Sequence, residues 1–157
     1  MIEMTIPGFG KLSIRHLILD YNGTLAKDGC LLEGIKERLT DIARFDVEIH
    51  IISADTHHTL RQQCKGLPVS IHIVEHDNVV QDKLELVRNL GAESCFAIGN
   101  GRNDYRMLKE SKIGVCVIGA EGAFAPNVGA SDLIISDICH GLDLLLHPNR
   151  LIASLRG

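Results

Sequence analysis

The stretch I-R-H-L-I-L-D-Y-N-G-T-L, Ile14 to Leu25, decides the fold. Its apolar residues are continuous rather than alternating, as in a strand covered on both faces of a parallel sheet. We read that strand as Ile14 to Leu19. It ends on Asp20, and Gly23 then lets the chain turn. A carboxylate at a strand end, followed by a glycine-containing turn, stands among backbone amides. That setting suits a nucleophile approached by an anionic phosphoryl group; an Asx turn leaving a buried strand is the plainer alternative.

Outward from this segment the same pattern recurs. Apolar runs predict strands at Val47 to Ser53, Ile71 to Val74, Cys95 to Ile98, Ile113 to Ile118 and Leu133 to Ile135. Helix-period segments fall between them, at Leu31 to Phe45, Thr56 to Lys65, Val79 to Leu90, Asp104 to Glu110, and Leu142 to Leu155 with an interruption at Pro148. Strand and helix in alternation predict an α/β fold: a three-layer, doubly wound, Rossmann-like parallel sheet. Met1 to Lys11, with Pro7 and Gly8, suggests a short hairpin or edge strand ahead of it. Neither repeat nor linker divides the 157 residues, so one domain over residues 1–157 is expected.

Composition narrows the function. Sixteen Lys and Arg against twenty Asp and Glu give a net charge of −4, and no basic run stands out, which argues against a nucleic-acid binder. No stretch approaches the roughly 18 apolar residues of a membrane span. The five cysteines are odd in number and form no C-x-x-C pair, as expected of buried thiols in a reducing compartment. A cytoplasmic location is the expectation.

In a doubly wound sheet, ligands bind beyond the carboxyl ends of the strands, and four such positions carry chemistry. Asp20 is the first. Ser53, followed by Ala54 and Asp55, closes the second strand, where its hydroxyl can meet a phosphoryl oxygen or cap a helix. Lys83, near a helix start, can neutralise a transferring phosphoryl group or belong to a solvated face. In G-N-G-R-N-D, Gly99 to Asp104, two glycines bracket Asn100. Asn103 and Asp104 then project from a helix start, with oxygen ligands suited to Mg²⁺; a turn plus N-cap is the alternative.

In this order, the D-x-x-G-T-L turn, the strand-end Ser, the helical Lys and the G-N-G-x-N-D turn resemble the haloacid dehalogenase (HAD) superfamily of phosphotransferases over nearly the whole chain. The G-N-G-R-N-D turn and the ending L-H-P-N-R-L-I-A-S-L-R-G are similar to the soluble relatives of the phosphorylation domain of P-type ATPases. The resemblance implies a Mg²⁺-dependent phosphohydrolase. Asp20 would form an aspartyl phosphate, with Gly23, Thr24, Ser53, Ala54 and Lys83 around the phosphoryl group and Thr24 bracing the loop. The Mg²⁺ site would comprise Asp20, the backbone carbonyl of Asn22, and Asp104, supported by Asn100 and Asn103. The implied substrate is a phosphorylated small molecule or a phosphoprotein, and the implied reaction is hydrolysis of a phosphoric monoester or an ATP-like phosphoanhydride.

Two positions depart from the family pattern. Phosphatases of this superfamily usually carry a second Asp two residues after the nucleophile as acid and base; here it is Asn22, which has no titratable proton, so slow turnover is expected. A non-catalytic or regulatory protein binding a phosphorylated ligand or partner is the alternative. Asn100 stands where many members have Asp, which should weaken Mg²⁺ binding. The segments after Leu25 and after Ser53 are too short for a cap domain, and an uncovered crevice leads us to expect a homo-oligomer. His57 and His58 follow Ser53 and could replace the missing base, or simply form the first turn of a surface helix. His16, His50, His72, His76, His140 and His147 show no H-x-x-x-H spacing, so no zinc site is expected. No role follows for Tyr21.

Overall fold

The computed structural model describes residues 1–74 and 78–157; His76 lies outside the described residues. The chain opens with an antiparallel hairpin, β1 (Ile2–Ile6) and β2 (Gly10–Ile14). Along β1, Ile2, Met4 and Ile6 are buried while Glu3 and Thr5 face water, the period-two pattern of a one-sided strand. Next come β3 (His16–Leu19), the two-residue strands β4 (Ala26–Lys27) and β5 (Cys30–Leu31), α1 (Ile35–Ala43), β6 (Glu48–Ser53), α2 (Leu60–Gln63), β7 (Ser70–Ile73), α3 (Val79–Leu90) and β8 (Cys95–Gly99). Then follow α4 (Tyr105–Glu110), β9 (Ile113–Val117), α5 (Asn127–Ala130), β10 (Leu133–Ile135), α6 (Ile138–Leu146) and α7 (Pro148–Leu155).

Six strands form one parallel sheet in the order β10-β9-β8-β3-β6-β7. Successive side chains of β3 go to opposite faces. Leu17 and Leu19 join a cluster with Ile35, Leu39, Leu142 and Leu151 of α1, α6 and α7. Ile18 joins Val87, Met107 and Leu108 of α3 and α4. Helices therefore cover both faces, as the continuous apolar runs required. The chain winds from β3 outward through β6 and β7, then crosses back to β8 on the other side of β3. The order of winding reverses between β3 and β8, and a crevice opens there at the strands' carboxyl ends.

The sequence reading is corrected in four places. The Ile14 to Leu19 run is split: Ile14 ends the hairpin and β3 starts at His16. The helix expected from Leu31 starts at Ile35, because Asp28, Gly29 and Gly34 all take positive φ and fold the preceding residues into the β4–β5 hairpin. The helix expected over Thr56 to Lys65 shrinks to Leu60–Gln63, since Asp55 and His58 sit at φ 45° and 55°, outside helical space. The last helix is two: α6 begins at Ile138, where Asp137 accepts the Cys139 amide, and Pro148 starts α7 instead of interrupting a longer helix. Between β3 and α1 there is room only for the small hairpin, and between β6 and β7 only for α2. No helix of the described residues is long and apolar enough to cross a membrane.

Candidate active site

Four loops converge on the crevice between β3 and β8. Asp20 leaves β3, tied by its amide to the Ile98 carbonyl of β8 at 3.0 Å. Lys83, on the first turns of α3, is fully buried. Its ammonium donates to Asp20 Oδ1 and Asp104 Oδ1, both at 2.6 Å, and reaches Asn103 Oδ1 at 3.3 Å. Far from lying on a solvated face, this lysine is the charge at the centre of the site. A buried ammonium is tolerable only where carboxylates offset its lost hydration. Burial alone would lower its pKa, but Asp104 and Asp20 more than reverse this and hold it above the ordinary lysine value. The Asp20 carboxyl is pushed up to about 6 by burial, with Asp104 adding to the rise and Lys83 opposing it.

Asp104 is held by the turn before it. Its Oδ2 accepts the amides of Asn100 at 3.0 Å and Gly101 at 2.8 Å, so the G-N-G-R-N-D turn folds back on its own last carboxylate. This explains Gly99: a Cβ there would lie 2.5 Å from Asp104 Cγ. Gly23 has φ 76°, and a Cβ on it would collide with the Asn100 amide group. Asn100 Nδ2 donates to the Gly122 carbonyl at 3.0 Å, and its Oδ1 lies 3.3 Å from Thr24 Oγ1. Thr24 Oγ1 also lies 3.2 Å from Asp20 Oδ2; its single proton goes to one of these two oxygens at a time, tying the turn after β3 to the site.

Ser53 ends β6 beside Asn22. Its Oγ accepts from the Asp55 amide at 3.0 Å and from Asn22 Nδ2 at 3.4 Å. With both acceptor positions used, its proton is left to donate outward. Among the described residues, buried Asn22 Oδ1 has no hydrogen-bond partner, an oxygen open to a donor or a cation. Two carboxylates against one ammonium leave the pocket with excess negative charge. This all-oxygen donor set fits Mg²⁺.

Asp20, Thr24, Lys83, Asn100, Asn103 and Asp104 are thus linked by close polar contacts, while Asn22 and Ser53 pair with each other at the ends of the neighbouring strands β3 and β6. Ala54 follows Ser53 but is exposed, and among the described hydrogen bonds its side chain has no part. Asp55 is no free base: its Oδ1 accepts the Thr59 and Leu60 amides, both at 3.1 Å. His57 is exposed and packs against Gly29. Tyr21 is buried and anchors the small hairpin by donating to the Gly29 carbonyl at 3.1 Å.

The sequence reading missed Asn127. It is fully buried and its Nδ2 donates to the carbonyls of Asn100 at 3.2 Å and Gly101 at 2.8 Å, holding the turn that holds Asp104. Its only sequence signal is an Asn after A-F-A-P, the ordinary composition of a turn. Glu121 was also missed; its Oε1 accepts the Asp28 amide at 2.9 Å and joins two loops at the rim.

No family model matches the sequence. An uncharacterized protein of Methanocaldococcus jannaschii is 45% identical over 78 residues, covering 47% of this chain and 84% of that protein. A second from that organism is 58% identical over 40 residues, 26% of this chain and 89% of that one. A soluble P-type ATPase-like phosphatase, again from that organism, is 28% identical over 97 residues, 60% of this chain but 36% of the phosphatase. Among solved structures, the 3-deoxy-D-manno-octulosonate 8-phosphate phosphatase of Moraxella catarrhalis, in complex with magnesium, phosphate and its sugar, superposes with a TM-score of 0.73 at 17% identity. The match covers 91% of this chain and 94% of that one. The cobalt-bound Haemophilus influenzae phosphatase for the same ester gives 0.70 at 16%, over 85% and 88%. A phosphatase of the HAD superfamily from Bacteroides thetaiotaomicron gives 0.61 at 12%, over 90% and 96%. The strand order, the buried Asp-Lys-Asp cluster at its reversal and these superpositions agree that the chain has the fold of the HAD-superfamily phosphatases.

Proposed function

We propose that the chain is a Mg²⁺-dependent phosphohydrolase working through a phosphorylated Asp20. The observation that carries this reading is the buried ammonium of Lys83 between Asp20 and Asp104, at 2.6 Å from each, where the winding reverses. An Asp20 oxygen attacks the phosphorus of a monoester; the oxygen–phosphorus bond to Asp20 forms while the bond to the leaving alcohol breaks, and the alkoxide takes a proton from water. Water then attacks the same phosphorus, breaking the bond to Asp20 and releasing inorganic phosphate. Lys83 and the free proton of Ser53 counter charge on the phosphoryl oxygens. Asp20, Asp104 and the backbone carbonyl of Asn22 would hold Mg²⁺, with Asn103 supporting; the ion supplies charge neutralisation to the phosphoryl group. Asn100 Nδ2 braces the loop through the Gly122 carbonyl, and its Oδ1 keeps a lone pair with which to support the ion.

Asn22 sets the rate. It donates to Ser53 and has no proton to give in the working range, so the general acid–base contribution of about 10² to 10⁴-fold is missing from both steps. Hydrolysis of the phosphoenzyme, which needs an activated water, is then the slower step. The same residue favours a second reading: a protein that binds a phosphorylated ligand without turning it over.

A cavity of about 300 Å³ opens beside Gly23 and Thr24, bordered by Lys27, Glu33, Glu121 and Asp137. Three carboxylates against one ammonium disfavour a leaving group with further phosphates, so the substrate class we propose is a monoester of a hydroxylated, otherwise uncharged alcohol. The uncovered crevice leads us to propose a homo-oligomer as well; light scattering at micromolar concentration checks it, and a fully active monomer would remove it.

The test is acid quenching during turnover of a labelled aryl phosphate with Mg²⁺. Label should be trapped on Asp20, and Asp20→Asn should abolish both label and release. Label in the Asp20→Asn protein would assign the attack to another residue. Saturable binding of phosphate with no release would favour the second reading.

A further inference from the structure

A second cluster of chemistry-bearing side chains lies at the opposite end of the sheet. His16 opens β3, and the register sets it against Glu48 of β6, with Ile18 against His50. Alternate residues share a face, so His16, Glu48 and His50 stand together on the α3 side. His16 Nδ1 is 3.3 Å from His50 Nε2 and 3.4 Å from Glu48 Oε2, and His50 Nε2 is 3.8 Å from that same oxygen. Three donor atoms therefore mark a triangle.

A tetrahedral ion with bonds of about 2.0 to 2.1 Å separates its ligands by about 3.3 to 3.4 Å, which two edges match and the third, ending on the exposed Glu48 carboxylate, nearly matches. Hydrogen bonding accounts for the triangle less well. The 3.8 Å edge is too long for a hydrogen bond, and in either tautomer His16 Nδ1 can make a full hydrogen bond to only one of His50 Nε2 and Glu48 Oε2.

We propose that His16, Glu48 and His50 form a site for one divalent transition-metal ion of the zinc class, with its fourth position open to solvent. Two imidazole nitrogens and one carboxylate suit zinc and not Mg²⁺, which takes oxygen ligands. The outer partner that such a histidine requires is present: His50 Nδ1 lies 3.2 Å from His72 Nε2 on β7, which fixes the ring and leaves Nε2 facing the triangle. The side chains of His16 and His50 are 14% and 8% exposed, whereas Glu48 is 70% exposed and gives the ion a way in. Bound there, the ion clips β3 to β6, the strands whose far ends carry Asp20 and Ser53.

The test uses full-length protein freed of metal by chelation. Calorimetric titration with zinc chloride, in an excess of Mg²⁺ that fills the catalytic crevice, should show one zinc ion per chain at micromolar or tighter Kd. Free zinc about 100-fold above that Kd should raise the melting temperature by about 5 to 10 °C. Cobalt bound in its place should give the visible spectrum of a four-coordinate ion. Glu48→Gln and His16→Gln should each weaken zinc binding about tenfold or more while keeping the metal-free melting temperature, and Asp20→Asn should bind zinc as wild type does. Absence of saturable binding would overturn the proposal. So would binding that survives both Glu48→Gln and His16→Gln, or that is lost only with Asp20→Asn, which would place the ion in the catalytic crevice.

Discussion

Lys83→Met should be among the most damaging single substitutions in the molecule. At 2.6 Å from two carboxylate oxygens and an effective dielectric of about 20, each pair attracts by about 6 kcal/mol before desolvation is counted. Desolvation cancels much of that in the intact cluster. Removing the ammonium alone, however, leaves Asp20 and Asp104 facing each other in a pocket where both are almost wholly shielded from water. Breaking a buried ion pair in this way costs about 3 to 5 kcal/mol, which for a chain of this size lowers the melting temperature by about 6 to 20 °C. The loss should depend on pH with a definite sign. The Asp20 carboxyl already titrates at about 6 instead of its ordinary 3.8 because of burial and Asp104, even with Lys83 opposing; without the lysine it rises further. A folded pKa above the unfolded one means the native state holds the proton more tightly, so the associated stability is present below the unfolded value and is lost as pH rises through the folded one. Urea unfolding of Lys83→Met should therefore show a larger deficit at pH 8 than at pH 5, and adding Asp20→Asn should restore much of it. A deficit under about 1 kcal/mol, a deficit independent of pH, or a double variant as unstable as the sum of the singles would each refute the argument.

Three further outcomes are expected. Asn22→Asp should shorten the life of the aspartyl phosphate and raise turnover about 10- to 1000-fold, the gain limited by a third carboxylate near Asp20; no trapped intermediate in wild type and no gain in the variant would show that some other group already activates water. Gly99→Ala should destabilise by about 1 to 3 kcal/mol and weaken Mg²⁺ dependence, because its methyl must displace Asp104; an unchanged magnesium titration would show that the Asp104 position is not critical. Burial raises the Cys64 and Cys95 thiols to about 11 from 9.0. The folded chain thus keeps two protons that the unfolded chain gives up, and stability should fall as pH climbs from about 9 to about 11, a slope that Cys95→Ala should lessen.

The fold was legible because its signals are one-dimensional. Leu17 to Leu19, Phe96 to Ile98 and Val115 to Val117 are uninterrupted apolar runs only because both sheet faces are covered, and runs of that kind announce a parallel sheet before any pairing is known. The errors came where backbone conformation overruled periodicity. Leu31, Leu32, Ile35 and Leu39 have helical spacing, yet Gly34 at φ 79° separates the first two from the helix. Asp55 at φ 45° looks like an ordinary N-terminal residue in sequence, but its carboxylate collects the Thr59 and Leu60 amides and holds the chain out of helix for four residues. A left-handed non-glycine residue leaves almost no mark on composition.

The candidate site was legible for a related reason, and its counterpart was not. Asp20, Ser53 and Asp104 each follow a strand, and a parallel sheet sends all its strand ends to one edge, so three residues far apart in sequence could be placed together without knowing the strand order. Lys83 needed the order: α3 had to cross the β3 face before its ammonium could reach both carboxylates. The histidine triangle at the other edge needed more still. His16 and Glu48 are 32 positions apart, and they meet only because His16 is set against Glu48 in the β3–β6 register. A slip of one residue would turn Glu48 and His50 to the opposite face. Ligand spacing along one chain, such as H-x-x-x-H, describes metal sites built on a single helix. Sites built across paired strands have their spacing in the register, which becomes visible only once the strands are aligned.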